Sequence, residues 1–277
     1  MSRNDFRYKK MLFIGGGNIA GAVACGLVDG NSIPSEYITV YDINASQLDK
    51  FRSKGIKTTI DLVDALDGAE IVFLAVKPAI VSTVMKQIKD TGICKDNVLF
   101  VSFAAAVTIQ HITEAYGDNI QVIRTMPSTP ILVGEGVLAV SKNDLVSSKS
   151  FEYFCRMMSS IAHVTVIEES LMNPIISVHG SSPAYVYLFV KAMLDSAVNQ
   201  GISPESALPL ILKTIKGSIT MIEKSDSSIE TLISNVASPN GTTLAALNSF
   251  ENDDFCGTVD RAMTACTKRA DEISKEL

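Results

Sequence analysis

The stretch Met11-Leu-Phe-Ile-Gly15-Gly-Gly17-Asn-Ile-Ala20-Gly21 decides the fold of the first half of the chain. A short apolar run ends in three glycines, and a helical pattern rich in alanine and glycine follows at once. Gly15 permits a tight turn, Gly17 lets the backbone approach a pyrophosphate, and Ala20 and Gly21 allow the helix to pack on the strand. The free N–H groups at the helix start then favour phosphate. The stretch predicts a dinucleotide site, and an ordinary strand–helix turn is the alternative interpretation.

Composition narrows the class of protein. The chain has 277 residues, 47% hydrophobic and 19% charged, with a formal net charge of −6. The length predicts two domains, and the low share of charge indicates an assembly that covers part of the surface. The acidic balance argues against nucleic acid, and no apolar stretch is long enough to span a membrane. Five scattered cysteines without a C-x-x-C pair predict free thiols in the cytoplasm and no metal site.

Asp42 stands at the end of the second predicted strand, residues 37–41. Asp42 lies 27 positions beyond Gly15. In dinucleotide-binding folds an acidic residue at about this separation from the glycine turn accepts hydrogen bonds from the adenosine ribose. A carboxylate there repels a 2′-phosphate, and residues 43–47 contain no Arg or Lys to bind one. Asp42 therefore favours NADH over NADPH. The alternative interpretation is that Asp42 only caps the next helix.

Strand and helix patterns alternate through the first half. The predicted strands are 11–14, 37–41, 56–59, 70–76, 97–102, 121–126, 136–141 and 163–167. This alternation predicts a doubly wound, mostly parallel α/β sheet, with the last two strands antiparallel at its edge. Ligands of such sheets bind at the carboxyl ends of the strands. Those ends carry Gly15–Gly17, Asp42, Val76–Pro78 and Ala104–Ala106.

The second half changes to helical periodicity near Glu168. The predicted helices are 171–178, 183–200, 204–224, 228–236, 243–252 and 255–276. We therefore predict a dinucleotide-binding domain over residues 1–168 and an all-α domain over 169–277. The helix 183–200 is apolar over most of its circumference, so it should be buried in a bundle or in a subunit interface.

The segment Ser238-Pro-Asn-Gly-Thr-Thr243 leads into one of these helices. Hydroxyl groups and unsatisfied N–H groups at a helix start form a carboxylate-sized site without any basic side chain. A capping motif with no ligand is the equally weighted alternative.

Five ordered segments together resemble one family. They are Phe13–Asn18, Ala75–Pro78, Arg124–Pro130, Gly180–Tyr185 and Ser238–Thr243. In sequence and order they resemble pyrroline-5-carboxylate reductase, the oxidoreductase that completes proline biosynthesis. The resemblance implies an N-terminal Rossmann domain and a C-terminal helical domain that dimerises by interleaving helices. Dimers of this family often assemble into decamers of five dimers.

The resemblance also assigns site residues by position. Cofactor contacts for NADPH or NADH fall on Gly15, Gly16, Gly17, Asn18, Ile19, Val76, Lys77, Pro78, Ala105 and Asn235, beside Asp42. Substrate contacts fall on Glu169, Ser238, Gly241, Thr242 and Thr243. The resemblance implies that Thr243 has the catalytic role of donating a proton to the imine or orienting it. No position is assigned to a metal.

The chain departs from the family pattern at four positions. Asp42 replaces the small hydroxyl or basic residue often found beside the phosphate of NADPH, and Leu62 stands where an Asn often touches the cofactor. Ser128 replaces Asn in M-P-N-T-P, and Asn240 replaces Gly in S-P-G-G-T. Asp42 puts the NADPH preference of the family in question, whereas the changes at 128 and 240 are small and polar.

Two other functions fit parts of the sequence. A β-hydroxyacid dehydrogenase also joins a Rossmann domain to helices, but its base is usually a Lys with an Asn one turn on, and here Lys191 precedes Asp195. A dinucleotide-binding regulator with a helical dimerisation domain is the non-catalytic alternative. We expect Lys191 to be ion-paired or snorkelling and His179 to be structural.

Overall fold

The computed structural model describes residues 7–94, 97–117 and 119–277. The chain divides into two compact units. Unit 1 comprises Met1–Ser181 and Cys266–Leu277, and unit 2 comprises Ser182–Ala265. Unit 1 is therefore discontinuous in sequence, because the end of the chain returns to it.

An eight-stranded sheet forms the centre of unit 1. Its strands are β1 (Met11–Ile14), β2 (Ile38–Tyr41), β3 (Lys57–Thr59), β4 (Ile71–Leu74), β5 (Leu99–Ser102), β6 (Gln121–Pro127), β7 (Gly136–Lys142) and β8 (Ala162–Val166). They lie in the order β3-β2-β1-β4-β5-β6-β7-β8. Strands β1 to β6 are parallel, β7 is antiparallel to β6, and β8 is parallel to β7. The predicted doubly wound sheet with two reversed edge strands is confirmed.

Helices cover both faces of this sheet. They are α1 (Asn18–Asp29), α2 (Asp49–Arg52), α3 (Leu62–Leu66), α4 (Val81–Thr91), α5 (Ile109–Tyr116) and α6 (Ser148–Met158). Because side chains alternate between the faces of a strand, Phe13 and Phe73 join the core under α1, α2 and α6, whereas Leu12 joins the core under α3, α4 and α5. The rings of Phe13 and Phe73 are stacked, with centroids 4.3 Å apart.

The segment that follows the sheet differs from its predicted helix at 171–178. Glu169–Leu171 forms a short 3-10 turn, and Ile176–Gly180 forms a π-helical turn. Ile176 packs against Ala270 of the returning C-terminal segment, which ties residues 169–181 to unit 1. The compact units thus meet at Ser181 rather than at Glu168, and the predicted domains 1–168 and 169–277 do not coincide with them.

Unit 2 is built of helices. These are α7 (Ser182–Asn199), α8 (Pro204–Lys224), α9 (Ile229–Val236), α10 (Thr242–Asn252) and the first part of α11 (Phe255–Glu276), whose last turns belong to unit 1. Within one chain α7 has no buried residue, and apolar side chains such as Tyr187 and Leu188 are exposed. The sequence predicts that this helix is buried either in a bundle or in a subunit interface. The prediction of burial within one subunit is wrong. Among the helices that the structure describes, none combines the length and apolarity needed to cross a bilayer.

Candidate active site

The sheet order brings four of the predicted loops to one edge of unit 1. Strands β2, β1, β4 and β5 are parallel neighbours, so their carboxyl ends lie side by side. The sequence order reverses between β1 and β4, and ligands of open α/β sheets bind at such a switch point. The glycine loop follows β1, Asp42 follows β2, Val76–Pro78 follows β4, and Ala104–Ala106 follows β5.

The glycine loop has the geometry that a dinucleotide requires. Gly15 has φ +101, and a Cβ there would lie 2.5 Å from the Ala75 carbonyl oxygen, so only glycine fits. Gly17 begins α1 in an extended conformation, and among the described residues no atom lies within 4 Å of where its Cβ would be. No described side chain caps α1. The N–H groups at its start are therefore available for a pyrophosphate, and these residues fit the expected cofactor.

The carboxylate of Asp42 lies against the glycine loop. Its Oδ2 accepts a hydrogen bond of 2.6 Å from the Gly16 N–H, and its Oδ1 accepts one of 2.8 Å from the Asn44 N–H. The interpretation of Asp42 as a helix cap is wrong, because the Asn44 side chain caps the following 3-10 turn by accepting from the Ser46 N–H. Asp42 is thus fixed beside the backbone of the glycine loop.

Lys50 lies just beyond residues 43–47, which contain no cation, and no prediction from the sequence included it. Its Nζ donates to the Gly17 carbonyl oxygen over 3.1 Å. The bond links α2 to the start of α1 and places a positive charge beside the glycine loop. The signal for Lys50 in the sequence is its position one helical turn beyond Gln47.

The remaining predicted cofactor residues of unit 1 are arranged around this loop. Asn18 is exposed and Ile19 half-buried in the first turn of α1. After β4, Val76 and Pro78 are half-buried and Lys77 is exposed. Val76 lies beside the glycine turn, since its Cγ1 would be 3.1 Å from a Cβ on Gly15.

The turn after β5 is backbone-strained. Ala105 is half-buried between Ala104 and Ala106, which are buried. Ala106 has φ +63, a left-handed conformation that costs a residue with a Cβ about 1–2 kcal/mol. The small side chains leave the backbone of this turn close to the carboxyl edge of the sheet.

Glu169, a predicted substrate contact, is engaged within unit 1. Its Oε1 accepts from the Ile109 N–H over 2.7 Å and lies 3.5 Å from the Nη1 atom of Arg124. Arg124 is only 3% exposed; burial lowers the pKa of its guanidinium, and the Glu169 charge opposes that shift. Both contacts of Glu169 use the same oxygen. The carboxylate therefore balances the charge of a buried guanidinium, and no local pattern in the sequence indicates that burial.

A hydrogen-bonded chain continues from Arg124 to the C-terminal segment. Arg124 Nη2 donates to Asn173 Oδ1 over 2.6 Å. The Asn173 amide donates to Asp271 Oδ1 over 2.8 Å and to Ser274 Oγ over 3.0 Å. Ser274 in turn donates to the Ala106 carbonyl oxygen. No local pattern marks these residues, because the bonds join parts of the chain about 50 to 170 positions apart.

The second predicted ligand-binding element lies in unit 2, at the start of α10. Gly241 is its N-cap, and no described side chain caps the helix, so the interpretation as a side-chain capping motif is wrong. A Cβ on Gly241 would lie 2.5 Å from Ser238 Oγ. Asn240 has φ +60, a conformation that Asn tolerates better than most residues, which explains how it stands in place of Gly. The helix start offers free N–H groups beside Thr242 and Thr243.

Other candidates from the sequence have structural partners. Lys191 forms an ion pair with Asp195, and the ring of His179 donates to the Met126 carbonyl oxygen over 2.7 Å. The ion pair confirms the prediction for Lys191, and the structural role of His179 stays a prediction. Asn235 lies exposed in the last turn of α9.

Comparison with protein families gives two matches. Residues 169–273 match the pyrroline-5-carboxylate reductase dimerisation family, and residues 10–106 match the family of NADP oxidoreductases described as coenzyme F420-dependent. The first match begins immediately after the predicted boundary at Glu168.

Individual relatives are similar over nearly the whole chain. The pyrroline-5-carboxylate reductase of Escherichia coli is 34% identical over 271 residues, which cover 96% of this chain and 99% of the relative. That of Corynebacterium melassecola is 33% identical, covering 95% and 97%.

Solved structures are similar to this chain over the same range of residues. The Plasmodium falciparum pyrroline carboxylate reductase with NADP bound has a TM-score of 0.87 and 30% identity, covering 96% of this chain and 98% of that one. The Coxiella burnetii pyrroline-5-carboxylate reductase also has a TM-score of 0.87 and 30% identity, covering 97% and 99%. On this similarity, which runs through both units, the chain belongs to the pyrroline-5-carboxylate reductase family.

Proposed function

We infer that the protein reduces the C=N bond of 1-pyrroline-5-carboxylate and so forms L-proline. The observation that carries this inference is the uncapped start of α10 at Thr242, preceded by left-handed Asn240, in a chain whose other unit holds a dinucleotide-binding glycine loop. A helix start without a side-chain cap suits a small carboxylate. When NADH or NADPH is bound, its reduced nicotinamide supplies the hydride.

The residues of unit 1 hold the dinucleotide. The N–H groups at the start of α1, which follow Gly15, Gly16 and Gly17, bind the pyrophosphate, and Asp42 accepts from the adenosine ribose. Further contacts come from the first turn of α1 and from the loops after β4 and β5: Asn18, Ile19, Val76, Lys77, Pro78 and Ala105. Asn235 of unit 2 is a further cofactor contact in this proposal.

The residues of unit 2 orient the substrate. Ser238, Gly241 and Thr242 bind its carboxylate through hydroxyl and backbone N–H groups. Thr243 directs its hydroxyl to the ring nitrogen, which takes up a proton as the ring carbon takes up the hydride. A cyclic imine is partly protonated near neutral pH, so positioning is the main contribution of the protein. Glu169 contributes to substrate binding only through Oε2, because Ile109 and Arg124 both contact Oε1.

The reaction is tested by incubating the purified protein with NADH and pyrroline-5-carboxylate and following the loss of NADH absorbance. Turnover with formation of proline supports the proposal. Binding of NADH without turnover would favour a regulator, and turnover only with a hydroxyacid and NAD⁺ would favour a dehydrogenase. Replacing the substrate with its six-membered homologue measures how closely the ring is recognised.

We propose that the protein prefers NADH, because the fixed Asp42 carboxylate repels a 2′-phosphate. Asp42→Asn removes the charge and keeps an oxygen that accepts from Gly16. We expect the ratio of kcat/KM for NADPH to that for NADH to rise about tenfold, equivalent to about 1.4 kcal/mol. Steady-state kinetics with both cofactors measure it.

Asp49→Asn in the neighbouring helix α2 is the matched control, since it removes an exposed carboxylate that pairs with Arg52. It should leave the ratio unchanged. A wild-type protein that prefers NADPH tenfold or more contradicts the role given to Asp42.

We propose a homodimer formed through the helices of unit 2, with five dimers assembled into a decamer. The support is the dimerisation-family match and the exposed apolar side chains of α7. Leu188 is 68% exposed in the single chain, so Leu188→Asp should cost nothing in a monomer but should break an apolar interface. Light scattering should show a smaller particle for this variant.

Ile60→Asp, at an apolar residue of unit 1 that is 64% exposed, is the control and should keep the wild-type mass. A wild-type protein with the mass of one chain would contradict the dimer, and a dimer mass would contradict the decamer. We also propose that residues 169–277 form the dimerisation domain. We propose the cytoplasm as the location of the protein.

A further inference from the structure

The last turns of α11 reach the strained turn at the carboxyl end of β5. Ala106 is 2% exposed and holds φ +63, although it carries a Cβ. Ser274, in the C-terminal segment of unit 1, donates its hydroxyl hydrogen bond to the Ala106 carbonyl oxygen. The bond fixes the peptide group that follows the left-handed residue. A side chain far along the sequence therefore holds the turn in a conformation that L-residues rarely adopt.

Ser274 is itself held in place. The Asn173 amide donates to Ser274 Oγ over 3.0 Å and to Asp271 Oδ1 over 2.8 Å, and Asn173 accepts from buried Arg124. Successive hydrogen bonds in such a chain polarise one another. The hydroxyl of Ser274 accepts from Asn173 and is thereby oriented to donate to Ala106.

The position of this turn matters for the cofactor. Strand β5 is adjacent to β4, which is adjacent to β1, so the turn at Ala104–Ala106 lies on the edge that carries the glycine loop. Ala105 is half-buried between two buried residues. The φ angle of Ala106 sets how the peptide group between Ala105 and Ala106 is turned, so the Ala105 carbonyl moves if that angle changes.

We propose that Ser274 is a positioning residue for the dinucleotide, acting through the left-handed turn at Ala106 on the backbone of Ala105. This inference rests on the proposed function insofar as it takes the Ala105 turn as part of the dinucleotide site. Ser274 does not touch the ligand. Loss of the Ser274 hydroxyl should weaken dinucleotide binding and leave the rate of the steps after binding nearly unchanged.

The test compares Ser274→Ala and Ser274→Thr, each in the wild-type and in the Ala106→Gly background. We expect Ser274→Ala to raise the dissociation constant of NADH, measured by calorimetry, and its KM about tenfold. The KM for pyrroline-5-carboxylate and kcat should stay within about twofold. Ser274→Thr keeps the hydroxyl and should bind NADH like the wild type.

The Ala106→Gly background separates positioning from general stability. Glycine adopts a positive φ without strain, so there Ser274→Ala should change NADH binding less than about twofold. The same loss in both backgrounds, or no loss in either, would overturn the proposal. If Ser274→Ala does not fold in the wild-type background, two other variants still test the proposal. They are the double variant Ser274→Ala with Ala106→Gly, and Ser274→Thr.

Thr113→Val is the matched control, because it removes a hydroxyl that donates to the Gln110 carbonyl oxygen over 2.8 Å in α5. It should leave NADH binding unchanged, and an effect equal to that of Ser274→Ala would count against the proposal. A wild-type protein that binds NADH but does not reduce the imine would refute the proposed function. The calorimetric comparison of the Ser274 variants would still test the positioning role of Ser274.

Discussion

Thr243→Val should lower kcat with pyrroline-5-carboxylate about 100-fold while the protein remains folded and binds NADH normally. The side chains have nearly the same shape, so the change removes only the hydroxyl beside the free N–H groups of the α10 start. The imine nitrogen then loses its partner at the stage when it takes up a proton, and losing one positioned group of this kind costs about 10²–10⁴ in rate. Steady-state kinetics with saturating NADH measure the loss.

Two companion variants show whether the hydroxyl itself is responsible. Thr243→Ser keeps the hydroxyl and should retain most of the activity. Thr220→Val removes a hydroxyl that donates to the Lys216 carbonyl oxygen in α8 of the same unit, and it should have little effect. An unchanged kcat in Thr243→Val would exclude a role for this hydroxyl in the reaction.

Gly15→Ala should abolish measurable NADH binding and lower the free energy of unfolding by more than about 2 kcal/mol. Two causes add. The residue has φ +101, where a Cβ is strained, and its Cβ would lie 2.5 Å from the Ala75 carbonyl oxygen, a backbone atom that can move only with β4. The glycine turn must therefore open. Calorimetry with NADH and thermal unfolding measure both effects.

Gly92→Ala separates the two causes. Gly92 also has a positive φ, +65, at the C-terminal end of α4, but no described atom lies within 4 Å of its Cβ position. This variant should cost about 1 kcal/mol and leave NADH binding intact. Equal destabilisation in the two variants would mean that the clash at Ala75 contributes nothing.

The sheet could be predicted because its information is local. Continuous apolar runs such as 11–14 and 71–74 are typical of parallel strands covered on both faces, and the structure buries all four residues of each. Periodicity does not distinguish hydrogen-bond patterns, so the π-helical turn at Ile176–Gly180 was predicted as part of an ordinary helix. The return of Cys266–Leu277 to unit 1 could not be predicted, because it depends on contacts such as that between Asn173 and Asp271.

The part of the candidate site that could be predicted from the sequence consists of short motifs. The glycine loop, Asp42 and the segment before Thr242 each carry their chemistry within a few residues. Arg124 and Ser274 have no such signal, since a buried guanidinium and a hydroxyl acquire their roles only from distant partners. The family resemblance assigns Glu169 a ligand-binding role, and its place beside Arg124 adds a charge-balancing role.

The discontinuity of unit 1 affects how a newly made chain matures during translation. Ala106 and Ser274 are 168 positions apart, so at about 5–20 residues per second the ribosome needs about 8–34 seconds to make the second after the first. The eight strands lie between residues 11 and 166, so all of them are made before Ser274. All eight strands are therefore synthesised before the loop after the fifth strand can acquire its hydroxyl partner.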